Sequence, residues 1–306
     1  MTSLQGKIIV VVGPTASGKS DLAVLIAQQF GGEVVSADSR QVYRGMDIGT
    51  GKVTQNEMRG IPHHLLDVAD PRRTYSVARY RRAAEKVIND ILKRNKVPVI
   101  AGGTAFYIDA VVRGMELPDV KPNTRLRTQL SKKSVEELFE TLVKLDPVRA
   151  ENIDPQNPRR LIRAIEIAIA LGKVPPIGEE PKYIAHKIGI NPPQELLHRR
   201  IHARLLKRMK RGMRLEVKRL HNIGVSWERL EAFGLEYRRL AEYLQKKITK
   251  EAAVELLERD IVQYAKRQMT WWKRDKEIHW YETNTFTKGM QKEISAFLSK
   301  QKPARM

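Results

Sequence analysis

Gly13, Gly18, Lys19 and Ser20 stand in the stretch GPTASGKS, which fits the pattern G-x-x-x-x-G-K-S/T. That spacing builds a loop around a phosphate chain. The glycines let the backbone turn its N–H groups inward, Lys19 adds a point charge, and the Ser20 hydroxyl is placed to bind Mg2+. Pro14, Thr15, Ala16 and Ser17 form the body of the loop. The helix expected next aims its N-terminal dipole at the same place. ATP or any other diphosphate satisfies these groups, so the motif implies a bound phosphate chain without saying whose.

Two further positions could do chemistry near that loop. SADSRQVY puts Asp38 just after a short apolar run, and AGGT puts Thr104 at the matching place after another. A carboxylate there can cap the next segment, hold Mg2+ or act as a general base, and the pattern alone favours the cap or the metal. Capping is also the better reading of Thr104 from spacing alone. NPRRLIRAIEI places Arg159, Arg160 and Arg163 at the start of a helix. The helix dipole disfavours cations there, so the cluster is either a solvated start or the seat of an anion. YAKRQMTWWKR interleaves aromatics with cations, as a nucleic-acid surface can. Trp271 and Trp272 are nevertheless read as core residues, because tryptophan buries so much area. His63 and His64 have no carboxylate or cysteine at metal-ligand spacing and are read as structural.

These residues need elements to hold them. KIIVVV is β-branched and uninterrupted, the mark of a strand covered on both faces. Ser20–Phe30 has Leu22, Leu25, Ile26 and Phe30 at helical spacing. EVVSADS and VPVIAGGT read as two further strands, and Tyr75–Asn95 between them as a long amphipathic helix. Strands alternating with helices predict an α/β fold, a P-loop-like parallel sheet flanked by helices with ligands at the carboxyl ends of its strands. From about residue 118 to 184 the chain becomes turn-rich, with helices at Ser134–Leu145 and Arg159–Leu171. We read 118–184 as an inserted, all-helical domain, with the core formed by 1–117 and 185–306. HKIGINPP is expected to return to the sheet. Leu197–Leu220 reads as one helix whose other faces carry ten Lys/Arg against one Glu.

The balance of 56 Lys+Arg against 35 Asp+Glu leaves a formal charge of +21 over 306 residues. Such an excess favours a polyanionic partner. A 42% hydrophobic content fits a globular chain. Cysteine is absent, which excludes disulfides, thiolate-held zinc and a thiol nucleophile and fits a reducing compartment. MTSLQGK shows no secretory leader, and IIVVV is too short to cross a bilayer. A cytoplasmic protein with no membrane partner, acting as a monomer, is expected.

GPTASGKS, SADSRQVYRGMDIGTGK, IPHHLLDVADP, AGGTAFYIDAVVRG, NPRRLIRAIEI and AKRQMTWWKR occur in the order found in bacterial tRNA dimethylallyltransferases, and from about residue 7 to 280 the chain resembles that family. The likeness is to the bacterial form, since nothing matches the zinc finger of the eukaryotic enzymes. The resemblance implies transfer of a dimethylallyl group from its diphosphate to N6 of the adenosine just 3′ of the anticodon in tRNA, with Mg2+ as cofactor. Gly13–Ser20 would then hold dimethylallyl diphosphate, with Ser20 on the metal. Asp38 matches the family's general base, and Thr104 a threonine near the reacting adenine. Arg204 matches an arginine at the diphosphate end. Asp38, Ser39, Arg40, Gln41, Thr104, Arg125, Arg159, Arg160, Leu161, Ile162 and Arg163 match positions that touch the anticodon stem-loop. The adenosine would be flipped out of its stack to reach the sheet edge. The chain departs from the family at EAFGLEYR, where two residues separate Gly234 from Tyr237, and no contact is carried over from 231–238. A small-molecule P-loop kinase remains an alternative that leaves the charge unexplained. A non-catalytic nucleic-acid binder gives Asp38 and Thr104 no joint role. Transfer to free adenine nucleotides would need no long cationic surface.

Overall fold

The computed structural model describes residues 6–299. The stretches 1–5 and 300–306, which hold most of the expected leaderless N-terminus and the end of the expected core, lie outside the described residues. The chain divides into a large unit, made of Met1–Arg113 and Pro181–Met306, and a small one, Gly114–Glu180.

In the first half of the large unit the elements are β1 Gly6–Val12, α1 Lys19–Gln29, β2 Gly32–Ser36, α2 Gln55–Met58, β3 His63–His64, α3 Val77–Lys93, β4 Val97–Ala101 and α4 Ala105–Val112. The small unit contributes α5 Thr124–Leu130, α6 Val135–Leu145, α7 Pro147–Glu151 and α8 Pro158–Leu171. The large unit resumes with β5 Tyr183–Ile190, α9 Gln194–Lys210, α10 Met213–Asn222, α11 Trp227–Phe233, α12 Leu235–Leu244, α13 Lys250–Trp272, β6 Ile278–Tyr281 and α14 Lys288–Ser299.

The six strands form one parallel sheet in the order β3-β2-β4-β1-β5-β6. Both faces are covered, which is why β1 reads as an unbroken apolar run. Ile8, Val10 and Val12 join a core formed with α3, α4 and α9–α13. Ile9 and Val11 join a second core with Leu22 and Ile26 of α1 and Met290 and Ile294 of α14. This is the α/β architecture the sequence predicts. Trp272 is buried in the larger core. Among the described residues no helix is long and apolar enough to cross a membrane.

The sequence misplaces three features. The stretch Leu197–Leu220 is two helices. Gly212 holds a left-handed φ of +94° and caps α10, a conformation that ends α9 at little cost for glycine alone. The strand after the small unit begins at Tyr183, where it pairs with Gly6, before the expected core restart at 185. The small unit accordingly closes earlier than expected, with the Glu116 N–H donating to Gly178 O at 2.8 Å. Finally, the arginines expected as a group on α8 divide. Arg163 donates to Val120 O at 3.0 Å and pairs with the buried Glu166, which also takes Arg127. Arg159 and Arg160 are exposed on a first turn capped by Asn157 and Pro158.

At the far end of the sheet Glu33 is 2% exposed and accepts from Arg94, Lys96 and His64. Arg94 first, and then Lys96 and His64, hold its carboxyl far below the usual range against the opposing cost of burial. His64 thus serves the fold, as expected, and His63 bonds Ile61 O. Glu33→Ala is expected to cost about 2 kcal/mol at pH 7, because Arg94 and Lys96 are partly exposed and regain water. A depressed carboxyl pKa stabilises above the unfolded value and loses that contribution as pH falls. The difference in melting temperature between wild type and Glu33→Ala should therefore shrink from pH 7 to pH 3.

Candidate active site

The C-terminal ends of β1, β2 and β4 lie side by side, and each opens into one of the stretches singled out by sequence. Beyond β1, Gly13–Gly18 wraps into the N-terminus of α1. Gly18 holds φ +91° and Ala16 φ +64°. A non-glycine residue in that region carries strain, which clusters at ligand-binding turns. The first N–H groups of a helix lack intrahelical acceptors, so the start of α1 presents donors to this loop. Lys19 Nζ donates to Pro14 O at 3.3 Å, and Ser20 is exposed on the first turn.

Beyond β2 comes Asp38. Its Oδ1 accepts from the N–H groups of Arg40 at 2.8 Å and Gln41 at 3.2 Å. This is the cap the pattern favours, yet it occupies one oxygen only. Oδ2 accepts no hydrogen bond among the described residues and faces Gly103, 3.8 Å from where a Cβ there would sit. One carboxylate thus caps its turn and keeps an oxygen free.

Beyond β4, Gly102 passes so close to the Asp38 turn that an added Cβ would sit 2.1 Å from Ala37 O. Thr104 is locked to that turn. Its N–H donates to Ala37 O at 3.1 Å, and its Oγ1 accepts from Ser39 N–H at 2.9 Å and donates to Ser39 Oγ at 3.2 Å. Thr104 caps α4 by position but makes no side-chain cap bond; its hydroxyl serves Ser39 instead.

The charges of the site lean on one another. Burial lowers the pKa of Lys19 to about 8, the Asp38 carboxylate opposes the shift and Arg204 adds to it. Arg204, on α9, lies against Gly51 and has no hydrogen-bond partner among the described residues. Burial and then Arg208 lower its pKa too. Arg40 stands over the Phe233 ring at 5.4 Å, its pKa lowered by burial against the pull of Asp38. Lys19 and Arg204, neither hydrogen-bonded to a counter-ion among the described residues, form with the phosphate-shaped loop a site prepared for an anion.

The structure therefore brings Gly13–Ser20, Asp38–Gln41, Thr104 and Arg204 to one edge of the large unit. Arg125, Arg159 and Arg160 lie on the small unit, exposed, and Ile162 is half-buried there. Leu161 is fully buried in the small unit's own core, against Leu138, Leu142 and Ile165, and offers no side chain to a ligand.

Several functional residues escape sequence reading. The buried Glu216 takes the backbone N–H groups of Asp47 (2.9 Å), Ile48 (2.7 Å) and Gly49 (2.9 Å), together with Tyr237 Oη at 2.8 Å. The divergent 231–238 segment thus supplies the hydroxyl that completes this anchor. Gln268 contacts both the phosphate loop and the Gly103 turn. Arg200 donates to Ser17 O at 3.2 Å, and Asn284 packs on Gly18. A signal did exist for two of them. Gln268 falls at helical spacing among Ile261, Ala265 and Trp272, and Glu216 shares a face with Met213, Val217 and Leu220. Each is a polar residue on an apolar stripe. Trp271 is partly buried and donates Nε1 to Asp109 Oδ2 at 2.8 Å.

A doubly covered parallel sheet with this loop after its central strand is the P-loop α/β class. The IPP transferase family profile matches residues 41–275. The chain is 40% identical over 289 residues to the tRNA dimethylallyltransferase of Pelotomaculum thermopropionicum, covering 91% of each chain. It is 44% identical over 285 residues to that of Treponema pallidum, covering 89% of this chain and 90% of the other. The crystal structure of the tRNA isopentenylpyrophosphate transferase from Bacillus halodurans superposes with a TM-score of 0.72 at 35% identity, over 96% of each chain. A eukaryotic dimethylallyltransferase solved acting on tRNA gives a TM-score of 0.81 at 28% identity, over 96% of this chain and 80% of the other. The chain belongs to the IPP transferase family.

The Glu216 anchor makes a local prediction. In Glu216→Ala the amides of Asp47, Ile48 and Gly49 lose their shared acceptor. Their hydrogen exchange should speed up by about tenfold or more, while the amides of β1 and β4 keep wild-type protection.

Proposed function

We propose that the protein is a cytoplasmic tRNA dimethylallyltransferase that moves a dimethylallyl group from dimethylallyl diphosphate to N6 of the adenosine just 3′ of the anticodon, releasing diphosphate. The observation that carries this reading is that Asp38 and Thr104, linked through Ser39, stand beside a phosphate loop whose cations Lys19 and Arg204 have no hydrogen-bonded counter-ion among the described residues. The names of the relatives agree with it.

In this reading Asp38 Oδ2 accepts a proton from the exocyclic amine as its nitrogen bonds to the allylic carbon. The amine is weakly nucleophilic because its lone pair is delocalised into the ring, so the base matters. The allylic C–O bond breaks, and its electron pair leaves on the diphosphate. The loop N–H groups, Lys19 and Arg204 stabilise that growing charge. Ser20 would hold Mg2+ on the diphosphate, where the ion would neutralise charge on the leaving group. The donor set fits such an ion. The exposed Ser20 hydroxyl at the start of α1 is a hard oxygen donor, and Mg2+ shared with phosphate needs only one or two protein oxygens. Arg159, Arg160 and Arg125 would hold phosphates of the tRNA, and such contacts offset the few kcal/mol of unstacking.

The test combines protein, Mg2+, dimethylallyl diphosphate and an unmodified anticodon stem-loop, followed by mass spectrometry of the RNA. A five-carbon gain on the target adenosine is expected; no gain, with ATP consumed in a parallel tube where it replaces the diphosphate, would sink the reading. Asp38→Asn, which keeps an acceptor for the Arg40 and Gln41 N–H groups, should bind the stem-loop within about twofold of wild type yet lose roughly 10²–10⁴ in turnover. Lys19 gives a pH signature. Its ammonium is lost above pH 8, so diphosphate affinity should fall about tenfold between pH 7 and pH 9. Lys19→Arg should remove that slope, with the ligand's own ionisation cancelling between the two proteins.

A further inference from the structure

Gln268 is 4% exposed and reaches the site from the distant helix α13. Its Oε1 accepts from Thr15 N–H, in the phosphate loop, at 2.8 Å. Its Nε2 donates to Gly103 O, in the turn after β4, at 2.8 Å. The fit is close, since a Cβ on Gly103 would sit 2.6 Å from Nε2. Tyr264, one turn earlier on α13, donates to the same carbonyl at 3.2 Å, so both lone pairs of Gly103 O are used. From Gly103 the chain passes directly to Thr104, which is bonded to Ala37 and Ser39 on either side of Asp38. A continuous path of hydrogen bonds thus runs from the phosphate loop, through one side-chain amide, to the Asp38 turn.

We propose that Gln268 is a positioning residue that fixes the distance between the leaving diphosphate and the acceptor amine. The inference rests on the transfer reading above. The chemistry explains the residue type. The bridge needs one acceptor and one donor on the same rigid planar group, and a primary amide supplies both without charge whatever the pH. A carboxylate would serve Thr15 but set an anion against Gly103 O. An apolar side chain would leave the Thr15 N–H without its partner and Gly103 O with Tyr264 alone. A bridge of this kind acts on rate rather than on affinity. Each substrate keeps its own contacts, while the near-attack geometry depends on holding the two loops in register, and a misplacement of about 1 Å can cost 10²-fold.

The experiment measures turnover, Kd for inorganic diphosphate with Mg2+, and Kd for the anticodon stem-loop in wild type, Gln268→Met and Gln268→Glu. Gln268→Met is expected to lose about 30- to 100-fold in kcat with both Kd values within about twofold of wild type. Gln268→Glu adds a pH readout that also serves if the Met variant folds poorly. A buried carboxyl titrates late, and its protonated form again offers one donor and one acceptor. The ratio of Gln268→Glu to wild-type turnover should therefore rise about fivefold or more from pH 8.5 to pH 6, while a general loss of packing would leave it flat. A Met variant within threefold of wild-type turnover, Kd losses that match the loss in kcat, or a flat ratio would each overturn the proposal. A wild type that binds but transfers nothing would overturn the transfer reading and this inference with it; a wild type that transfers beside unaffected variants would overturn this inference alone.

Discussion

Everything at the site depends on the strands being parallel. A parallel strand needs a crossover before the next can form, and crossovers return the chain so that every strand ends at the same edge. With β2, β4 and β1 adjacent, the loops after them have to be neighbours. Sequence distance then stops mattering: residues at 13–20, 37–41 and 102–104 meet because their strands do. What remains to be set is depth, and backbone contact sets it. Gly102 lets the third loop press on the carbonyl of Ala37, and the bonds of Thr104 fix it there.

This explains which parts were legible in the sequence. Asp38, Thr104 and the phosphate loop each sit at the end of an apolar strand, so a local pattern marks them. The core unit was legible for the same reason, since β1 and β4 are unbroken apolar runs. The supports were not. Glu216 reaches the 47–49 loop from about 168 residues away, and Gln268 reaches Thr15 from 253. No local pattern encodes a partner at that separation. The apolar stripes around both residues signal only that a polar group is buried, not what it meets. The break at Gly212 was missed for a different reason. Apolar spacing continues across it from Met209 to Met213, so periodicity alone reads through a glycine that the backbone uses to turn.

Asp38 shows how a cap can leave one oxygen of a carboxylate open. A carboxylate has room for about four hydrogen bonds. Here one oxygen takes two backbone donors and the other takes none among the described residues. The cap holds the group in place, and the free oxygen faces the site. A base on an uncapped loop would have to be ordered anew at each turnover, and the capped turn removes that step.

The same economy extends to the charge of the whole chain. Among the described residues five carboxylates are buried: Glu33, Asp146, Glu166, Glu216 and Glu236. Asp146 and Glu216 spend their charge on backbone N–H groups, and no cation among the described residues neutralises them directly. Acids placed inside do not sit on the surface beside lysines and arginines. That holds for Asp146 and Glu216, whereas Glu33, Glu166 and Glu236 pair with Arg94 and Lys96, with Arg127 and Arg163, and with Arg208. Buried carboxylates are expensive unless partnered; backbone donors do that for Asp146 and Glu216, and cations for the other three. The interior thus gains fixed loops from its acids, and the surface gains an excess of positive charge suited to a polyanion.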